Sequence, residues 1–264
     1  MKQYLELLEK VYTQGENKED RTGTGTISLF GEQLKFNLEE GFPLVTTKKI
    51  ITKSMVHELL WFIRGDSDIG YLLNNDVHIW DNWADQHGYV GPLYGHQWRH
   101  WGSRGNDGID QLQIAIDTIN KNPDCRRIIV SAWNVEDLDE MALHPCHCFF
   151  QLYVNNSKLS CQVYLRSLDM FLGCPFDIGI YALLTHMIAR ECGLRVGKLI
   201  LSIGDCHIYR NHFEQVELQL SREPYPLPGL WLNPKCNKVT EFTYSDIDFL
   251  NYKYHPRITG DISV

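Results

Sequence analysis

The order of apolar and polar positions along the chain predicts alternating helices and strands. Apolar residues recur at helical spacing in four segments: the N-terminal stretch containing Leu5, Leu8 and Val11, then 54–64, 109–120 and 175–192. The second segment, SMVHELLWFIR, is expected to end at Gly65. The fourth begins with Pro175, which suits a first helical turn, and it is apolar on nearly every side. We therefore expect this last helix to be buried.

Runs typical of strands lie between these predicted helices. They are ISLFGEQLKFNL (27–38), RRIIVSAWN (126–134), HCFFQLYVNNSKLSCQVYLRS (147–167) and LILSIGDCHIY (199–209). The third run predicts a hairpin that turns at Asn155 and Asn156. Because strands and helices interleave without a regular βαβ rhythm, the sequence predicts one α+β domain over residues 1–264, with no linker.

Composition and charge restrict the class of protein. The 264 residues contain 25 Lys and Arg against 33 Asp and Glu, a formal net charge of −8, which disfavours a general nucleic-acid surface. Eight cysteines in a chain of this length do not indicate a disulfide scaffold. The segment MKQYLELLEK lacks an apolar signal core, and no apolar run reaches 18 residues. We expect a soluble cytoplasmic protein without a membrane span.

Three short patterns resemble cofactor or metal sites, but each lacks a residue or a spacing that such a site requires. Gly23 and Gly25 could open a dinucleotide loop, but Ser28 stands where the third glycine is needed. HPCHC (144–148) lacks the usual C-x-x-C spacing of a zinc site. HFE (212–214) is not followed by the P-C-x-x-C of zinc deaminases. The sequence therefore predicts no metal site.

Cys146 is the candidate nucleophile, since it lies between Pro145 and His147 just before a predicted strand. Alone, such a cysteine is more often a buried structural residue. Its surroundings resemble the thymidylate synthase family, in the family's order and from about residue 1 to the last residue. The matching segments are DRTGTGT, HELLWFIRGD, IWDNWAD, LYGHQWR, RRIIVSAWNVEDLDEMALHPCHCFFQLYV, RSLDMFLGCPFDI, GDCHIYRNH and QLSREP.

This resemblance implies a fold, an assembly and a reaction. The family fold is an α+β sandwich built on a large mixed sheet packed on helices. Two subunits pack sheet to sheet as an obligate homodimer. The family reaction transfers a one-carbon unit from 5,10-methylenetetrahydrofolate to C5 of a pyrimidine deoxynucleotide 5′-monophosphate, and the folate also supplies the hydride. No metal takes part.

The resemblance also implies catalytic roles. Addition of a thiolate at C6 makes C5 nucleophilic, and Cys146 matches that thiol. Arg166 matches the arginine that contacts both thiol and phosphate, and its charge favours the thiolate. Glu58, an acidic residue in an apolar helix, matches the general acid/base that acts through ordered water. Further matches to catalytic positions are Tyr94, which assists removal of the C5 proton, and His147.

For the nucleotide, the resemblance implies a cradle of charged donors around the phosphate dianion. Its own-subunit members are Arg21, Arg166 and Ser167, and the partner subunit lends Arg126 and Arg127. His207 and Tyr209, two apart on a strand and so on one side of it, match the pair that holds the ribose 3′-hydroxyl. Asp169 matches a residue at the junction of the nucleotide and the folate.

For the folate, the resemblance implies mostly apolar contacts. Asp169 matches the contact to the pterin ring, and Lys48 matches the contact to the polyglutamate tail. The terminal carboxylate of Val264 matches the group that closes over bound ligands. The apolar matches are Ile79, Trp80, Trp83, Leu143, Leu172 and Phe176.

Asp177 is the departure that bears on the substrate. Thymidylate synthases carry Asn there, which donates to O4 and accepts from N3–H of uracil. An ionised Asp177 only accepts, whereas cytosine presents an amino donor at N4 and an acceptor at N3. With a raised pKa, the carboxyl can share a proton with N3. Family members specific for cytosine carry Asp at this position, so the sequence predicts dCMP as substrate.

The product is the second open question. Hydride transfer gives a methyl group, whereas attack by water gives hydroxymethyl. Trp80, Trp83 and His147 are kept as in synthases, and they favour a closed site and 5-methyl-dCMP. Leu165 and Ile180 replace polar residues and make the base pocket more apolar. The alternatives are a dCMP hydroxymethylase, an ordinary thymidylate synthase and an inactive RNA-binding regulator.

Overall fold

The computed structural model describes residues 1–103 and 108–262; the predicted role of Val264 therefore lies outside the described residues. The helices are α1 Lys2–Gln14, α2 Thr52–Arg64, α3 Gly70–Asn74, α4 Tyr94–His100, α5 Gln111–Lys121, α6 Gly173–Glu191 and α7 Phe213–Leu220. The strands are β1 Glu16–Lys18, β2 Thr26–Asn37, β3 Ile129–Ser131, β4 His147–Asn155, β5 Lys158–Asp169, β6 Arg195–Tyr209, β7 Gly229–Leu232 and β8 Ile247–Leu250. None of the helices in the described part of the chain has the length and apolar character that crossing a bilayer requires.

Six strands form one sheet in the order β1-β2-β6-β5-β4-β3, and β7 pairs with β8 in a separate two-stranded sheet. The pair β5–β6 is parallel, and the other neighbours in the large sheet are antiparallel. A parallel pair needs a long crossover, which α6 supplies between β5 and β6. The α+β class and the large mixed sheet packed on helices are thus confirmed.

Helix α6 packs on one face of the sheet, as its apolar sequence predicts. Leu159, Val163 and Leu165 of β5 are fully buried beneath it. Helix α2 packs beside α6 at Gly179, where a Cβ atom would lie 2.1 Å from Sδ of Met55. Because Gly179 has no side chain, the two helices approach closely. This contact brings α2, which carries Glu58, against the first half of α6.

Several predicted boundaries shift for identifiable reasons. The hairpin turns at Asn156 and Ser157, both with positive φ (51° and 57°), rather than at Asn155 and Asn156. The predicted strand 126–134 is confined to β3, because the amides of Ala132 and Trp133 both donate to the carbonyl of Cys148 and the ladder ends there. Predicted helix 109–120 begins later, at Gln111, after Ile109 has bridged to Trp101. The end of α2 at Gly65 is confirmed, with φ 79°.

The face of the sheet opposite α6 is rich in partly exposed apolar residues. Along β4, Phe150 and Leu152 point into the core, whereas the alternate residues Phe149 and Tyr153 are 39% and 56% exposed. Ile129 of the neighbouring strand β3 is also exposed. This pattern suits a face that packs against another subunit, which stays a prediction from the resemblance.

Candidate active site

The strand register gathers the predicted site residues at one end of the sheet. Parallel pairing of β5 with β6 places Ser167 opposite Asp205 and Asp169 opposite His207. Cys146 immediately precedes β4, beside the end of β5. These strand ends border a cavity of about 900 Å³. Its lining residues are Lys18, Glu19, Asp20, Arg21, Thr22, Thr26, Trp83, Met141, Ala142, Leu143, His144, Cys146, Arg166, Ser167, Asp169, Asp205, His207 and Tyr209.

Arg166 is fixed to the backbone beside the candidate nucleophile. Its Nε donates to the carbonyl of Pro145 at 2.9 Å, and its Nη2 donates to the carbonyl of His144 at 2.8 Å. The same Nη2 lies 3.9 Å from Sγ of Cys146. Burial raises the pKa of the Cys146 thiol, and the Arg166 charge opposes that rise. The guanidinium is therefore held where it stabilises a thiolate.

Tyr94 contacts both Cys146 and His147. The amide of Cys146 donates to Oη of Tyr94 at 2.9 Å. The Tyr94 ring stacks on the imidazole of His147 with centroids 4.0 Å apart and an interplanar angle of 17°. Tyr94 has a positive φ of 24°, a backbone conformation that L-residues rarely adopt. The packing around the site thus fixes this tyrosine next to Cys146.

His147 is buried and uncharged at neutral pH. Its Nδ1 lies 2.8 Å from Oη of Tyr181, and its Nε2 lies 3.9 Å from Oδ1 of Asp177. Burial lowers the pKa of His147 to about 3. The contact with Asp177 is therefore that of a neutral imidazole and not an ion pair, because the ring is charged only when protonated.

Two buried acidic side chains, Glu58 of α2 and Asp177 of α6, have raised pKa values. Burial raises the pKa of Asp177 well above its ordinary value, and the charges of Glu58 and Asp169 raise it further. Burial also raises the pKa of Glu58 to about 7, although Nε1 of Trp80 donates to its Oε1 at 2.7 Å and favours the ionised form. Groups tuned in this way can give and take protons near neutrality.

His207 is oriented by a charged pair at the far wall of the cavity. Its Nδ1 lies 3.2 Å from Oδ1 of Asp205, and Lys18 forms an ion pair with the other oxygen of that carboxylate. The hydrogen bond with His207 and the Lys18 contact lower the pKa of Asp205 to about 2. Tyr209 packs edge-on against His207, with centroids 5.1 Å apart. Anchoring Nδ1 leaves Nε2 of His207 for a ligand.

The predicted phosphate residues divide into two groups. Arg21, Arg166 and Ser167 line the cavity. Arg126 and Arg127 are exposed and lie before β3, where the carbonyl of Arg126 accepts from the Gln151 side chain. The register of β3 with β4 puts them near the opposite end of β4 from Cys146, about 25 Å away at the rise of a strand. The structure does not bring this arginine pair into the chain's own site.

The predicted folate residues are also placed unequally. Trp83 and Leu143 line the cavity. Trp80 lies directly behind Trp83, with ring centroids 5.5 Å apart. The other apolar candidates, Ile79, Leu172 and Phe176, are partly buried against the core without lining the cavity.

Lys48 is buried, and no pattern in the surrounding sequence predicts this burial. Its Nζ donates to the carbonyl of Phe171 and lies 3.5 Å from the centre of the Phe171 ring. Burial lowers its pKa to about 7. Lys48 is not among the residues that line the cavity, so its predicted contact with a polyglutamate tail stays a prediction.

Two contributors to the site were missed by sequence reasoning. Asp205 lies two residues before His207 on β6, and that spacing could have identified it as the residue that orients the histidine. Tyr181 gave no signal, since it is one apolar residue in a helix that is apolar on most sides.

Over residues 1–103 and 108–262 no cluster of three or more His, Cys, Asp or Glu side chains is arranged to hold a metal ion.

Comparison with protein families identifies a matching family. The family model described as "Thymidylate synthase" matches residues 2–264.

Proposed function

The chain belongs to the thymidylate synthase family, whose members transfer a one-carbon unit from methylenetetrahydrofolate to a pyrimidine nucleotide, and from this premise we propose that its substrate is dCMP. The products are then 5-methyl-dCMP and dihydrofolate. The proposal treats residues 1–264 as one catalytic domain. The observation that carries it is Asp177, 3.9 Å from His147 in a cluster of carboxyls.

Cys146 and Arg166 support the first chemical step. The thiolate of Cys146 forms a bond to C6, and the electrons of the C5–C6 double bond move toward C5 and the N3 edge of the ring. Arg166, fixed 3.9 Å from the sulfur, favours the thiolate before attack. A proton shared between Asp177 and N3 stabilises the negative charge that develops on that edge. C5 then becomes the nucleophile.

The cavity is compatible with the folate as co-substrate. Trp83, Met141 and Leu143 provide apolar wall, and the Asp169 carboxylate provides a polar edge, as a flat heterocycle with ring N–H groups requires. When bound, the folate supplies the one-carbon unit and the hydride. Glu58, with a pKa of about 7, can hold or release a proton for the steps at C5.

Asp177 supports cytosine over uracil through its hydrogen-bonding pattern. As a carboxylate it accepts from the N4 amino group of cytosine, whereas O4 of uracil would face it lone pair to lone pair. As a neutral carboxyl it accepts from N4 and donates to N3. A buried mismatch of donors and acceptors can discriminate between bases by up to about 10⁴-fold. The fully buried Leu165 and Ile180 keep this region apolar.

The same carboxyl favours one second candidate, thymidylate synthase activity on dUMP. A neutral Asp177 can reverse its pattern, accepting from N3–H and donating to O4 of uracil. The raised pKa of Asp177 makes this neutral form available. We favour dCMP because both the ionised and the neutral form of Asp177 match the hydrogen-bonding pattern of cytosine, whereas only the neutral form matches that of uracil.

Methylation rather than hydroxymethylation is supported by the aromatic packing behind the cavity. Trp80 is buried between Trp83 and Trp61, with centroids 5.5 Å and 5.3 Å away. His147 is stacked on Tyr94 and is also buried. Packing of this kind excludes the water that would give a hydroxymethyl product.

We propose further that the enzyme is an obligate homodimer in which each subunit lends Arg126 and Arg127 to its partner's phosphate. Both arginines are exposed and far from the chain's own Cys146. The partly exposed apolar face of the sheet with Phe149 and Tyr153 suits burial against a second copy.

One assay tests the substrate and the product together. Purified protein is incubated with methylenetetrahydrofolate and either [5-³H]dCMP or [5-³H]dUMP, and tritium release gives kcat/KM for each base. Dihydrofolate absorbance and the product mass distinguish methyl from hydroxymethyl. Cys146→Ser, which should release no tritium, is the control. Faster turnover of dUMP would refute the proposal, and a hydroxymethyl product would refute its second half.

A further inference from the structure

Tyr181 is a buried polar residue to which the reaction described above gives no task. It lies one helical turn after Asp177 in α6 and is 1% exposed. Rings of Trp98, Phe150 and His147 surround it. Among the described residues, the one side-chain hydrogen bond of its hydroxyl is the 2.8 Å contact with Nδ1 of His147.

The direction of this hydrogen bond follows from the need to satisfy a buried donor. If Nδ1 carried the proton, it would donate to Oη of Tyr181, and the phenol proton would have no acceptor among the described residues. If Nδ1 is unprotonated, Tyr181 donates to it, and the proton on Nε2 faces the carboxyl of Asp177, 3.9 Å away and within reach of a bridging water. A buried donor without a partner is destabilising, so the second arrangement is favoured.

The protonation of both partners supports this direction. Burial raises the pKa of Tyr181 well above its ordinary value, so the phenol keeps its proton. Burial lowers the pKa of His147 to about 3, so the ring carries a single proton. With Nδ1 accepting, that proton is on Nε2, the nitrogen that faces Asp177.

We infer that Tyr181 is a positioning residue whose hydroxyl fixes His147 in the tautomer protonated at Nε2 and so directs an N–H donor at Asp177. The link from this tautomer to the choice of base rests on the proposed function. The tautomer itself does not depend on it.

The fixed donor gives the two oxygens of Asp177 different roles. The 3.9 Å between Nε2 and Oδ1 is too long for a direct hydrogen bond but suits a bridging water or a small shift when a base binds. Once that shift brings Nε2–H into direct contact, Oδ1 accepts from it, so any proton on Asp177 then resides on the other oxygen. An acceptor at this place suits the amino group of cytosine and disfavours the reversed pattern that uracil needs.

Other titratable groups face Asp177 without determining the tautomer. Glu58 approaches from α2, Asp169 from the end of β5, and the thiol of Cys146 from the start of β4. The charges of Glu58 and Asp169 raise the pKa of Asp177 with either tautomer of His147. A pH profile alone would therefore not distinguish the tautomers, and the position of the proton has to be measured directly.

The direct test is the ¹⁵N spectrum of the histidine side chains in the full ligand-free protein at neutral pH. Long-range ¹H–¹⁵N correlations distinguish a protonated Nε2 from a protonated Nδ1, and His147→Gln assigns the signals. We expect His147 to carry its proton on Nε2. A proton on Nδ1 overturns the inference, whatever the enzyme's substrate proves to be.

The functional test compares Tyr181→Phe with a matched control. Tyr71→Phe removes an equivalent contact, since Oη of Tyr71 lies 2.9 Å from Nδ1 of His57 on the other side of α2. Loss of about 1 kcal/mol of preference corresponds to about fivefold. We expect Tyr181→Phe to lower the ratio of kcat/KM for dCMP over dUMP by about that factor and to give His147 mixed tautomers, and Tyr71→Phe to preserve both.

The outcomes separate this inference from the proposed function. An unchanged ratio in a Tyr181→Phe protein whose His147 tautomer has changed would overturn the link to base choice. Wild-type protein that prefers dUMP would refute the proposed substrate while leaving the tautomer measurement valid. If Tyr181→Phe does not fold, the spectrum of the wild-type protein still decides the inference.

Discussion

Arg166 lies 3.9 Å from the sulfur of Cys146 while it donates two hydrogen bonds to the carbonyls of Pro145 and His144. These two carbonyls belong to the two residues that directly precede Cys146, the proposed nucleophile. The charge that stabilises the thiolate is therefore attached to the same turn that carries the thiol. Lysine has one ammonium and could not make this planar, two-pronged contact.

Replacing Arg166 should reduce the reactivity of Cys146. In Arg166→Met the thiol keeps its burial and loses the opposing charge, so its pKa should rise further. In Arg166→Lys the pKa of the thiol should lie between those of the wild type and Arg166→Met. The measurement is the pH dependence of alkylation by iodoacetamide, with Cys146→Ser to identify the signal of this cysteine. An unchanged alkylation profile in Arg166→Met would show that another group activates the thiol.

Asp177→Asn should transfer the preference to dUMP. The amide can donate to O4 and accept from N3–H of uracil, the pattern that the synthases use, whereas an ionised carboxylate cannot donate to O4. We expect the ratio of kcat/KM for dCMP over dUMP to fall by about 100-fold or more. Asp169→Asn, at a neighbouring carboxylate outside the base edge, is the comparison. Equal shifts in both variants would mean that net charge, rather than the pattern at Asp177, selects the base.

Turnover of dUMP relative to dCMP should increase as the pH falls. The pKa of Asp177 is raised, so lowering the pH through it enlarges the neutral fraction, and only the neutral carboxyl can donate to O4. The two nucleotides compete in one reaction mixture at each pH, which cancels effects on the folate or on Cys146. A ratio that stays constant from mildly acid to alkaline pH would contradict the role given to the Asp177 proton.

Glu58 should make the protein less stable as the pH rises. Its folded-state pKa of about 7 lies above the unfolded value of 4.5. Its stabilising contribution is therefore fully present below the unfolded pKa and is lost as the pH rises through about 7. In urea unfolding, the free energy of unfolding of Glu58→Gln relative to that of the wild type should increase by about 1–3 kcal/mol between pH 5 and pH 8. Glu9→Gln, at an exposed position of α1, controls for the loss of one charge.

Two inactive variants should restore activity when they are mixed. Cys146→Ala lacks the nucleophile, and the double variant Arg126→Ala/Arg127→Ala lacks the pair proposed to reach the partner. A heterodimer of the two contains one site with an intact Cys146 and intact arginines from the other subunit. Subunit exchange after mild denaturation should recover tritium release. If the mixture stays inactive while heterodimers form, the arginines act within their own chain.

The sequence predicted the identity of the site residues better than their arrangement. Cys146, Arg166 and His207 were found because they lie in motifs. Their convergence depends on the parallel register of β5 with β6, which pairs Asp169 with His207, and no local pattern encodes that pairing. The remoteness of Arg126 and Arg127 likewise follows from the β3–β4 register.

The burial of individual polar side chains is the second feature that the sequence does not predict. Lys48 is predicted to contact a polyglutamate tail, and its ammonium is enclosed against Phe171. Tyr181 looked like core, yet its hydroxyl contacts His147. In both cases the environment comes from segments distant in the chain. The hairpin turn was misplaced by one residue because Asn156 and Ser157, and not Asn155, take up the positive φ values.

The pairing of β2 with β6 has a consequence for synthesis of the chain on the ribosome. It places the loop that holds Arg21 beside the end of β6, and the ion pair of Lys18 with Asp205 joins residues 187 positions apart. The loop that holds Arg21 must wait, with β2 lacking its partner β6, until nearly four-fifths of the polypeptide, up to Tyr209 of 264 residues, has emerged. Nascent chains of intermediate length would carry an unpaired edge on β2, a feature that favours aggregation and chaperone binding.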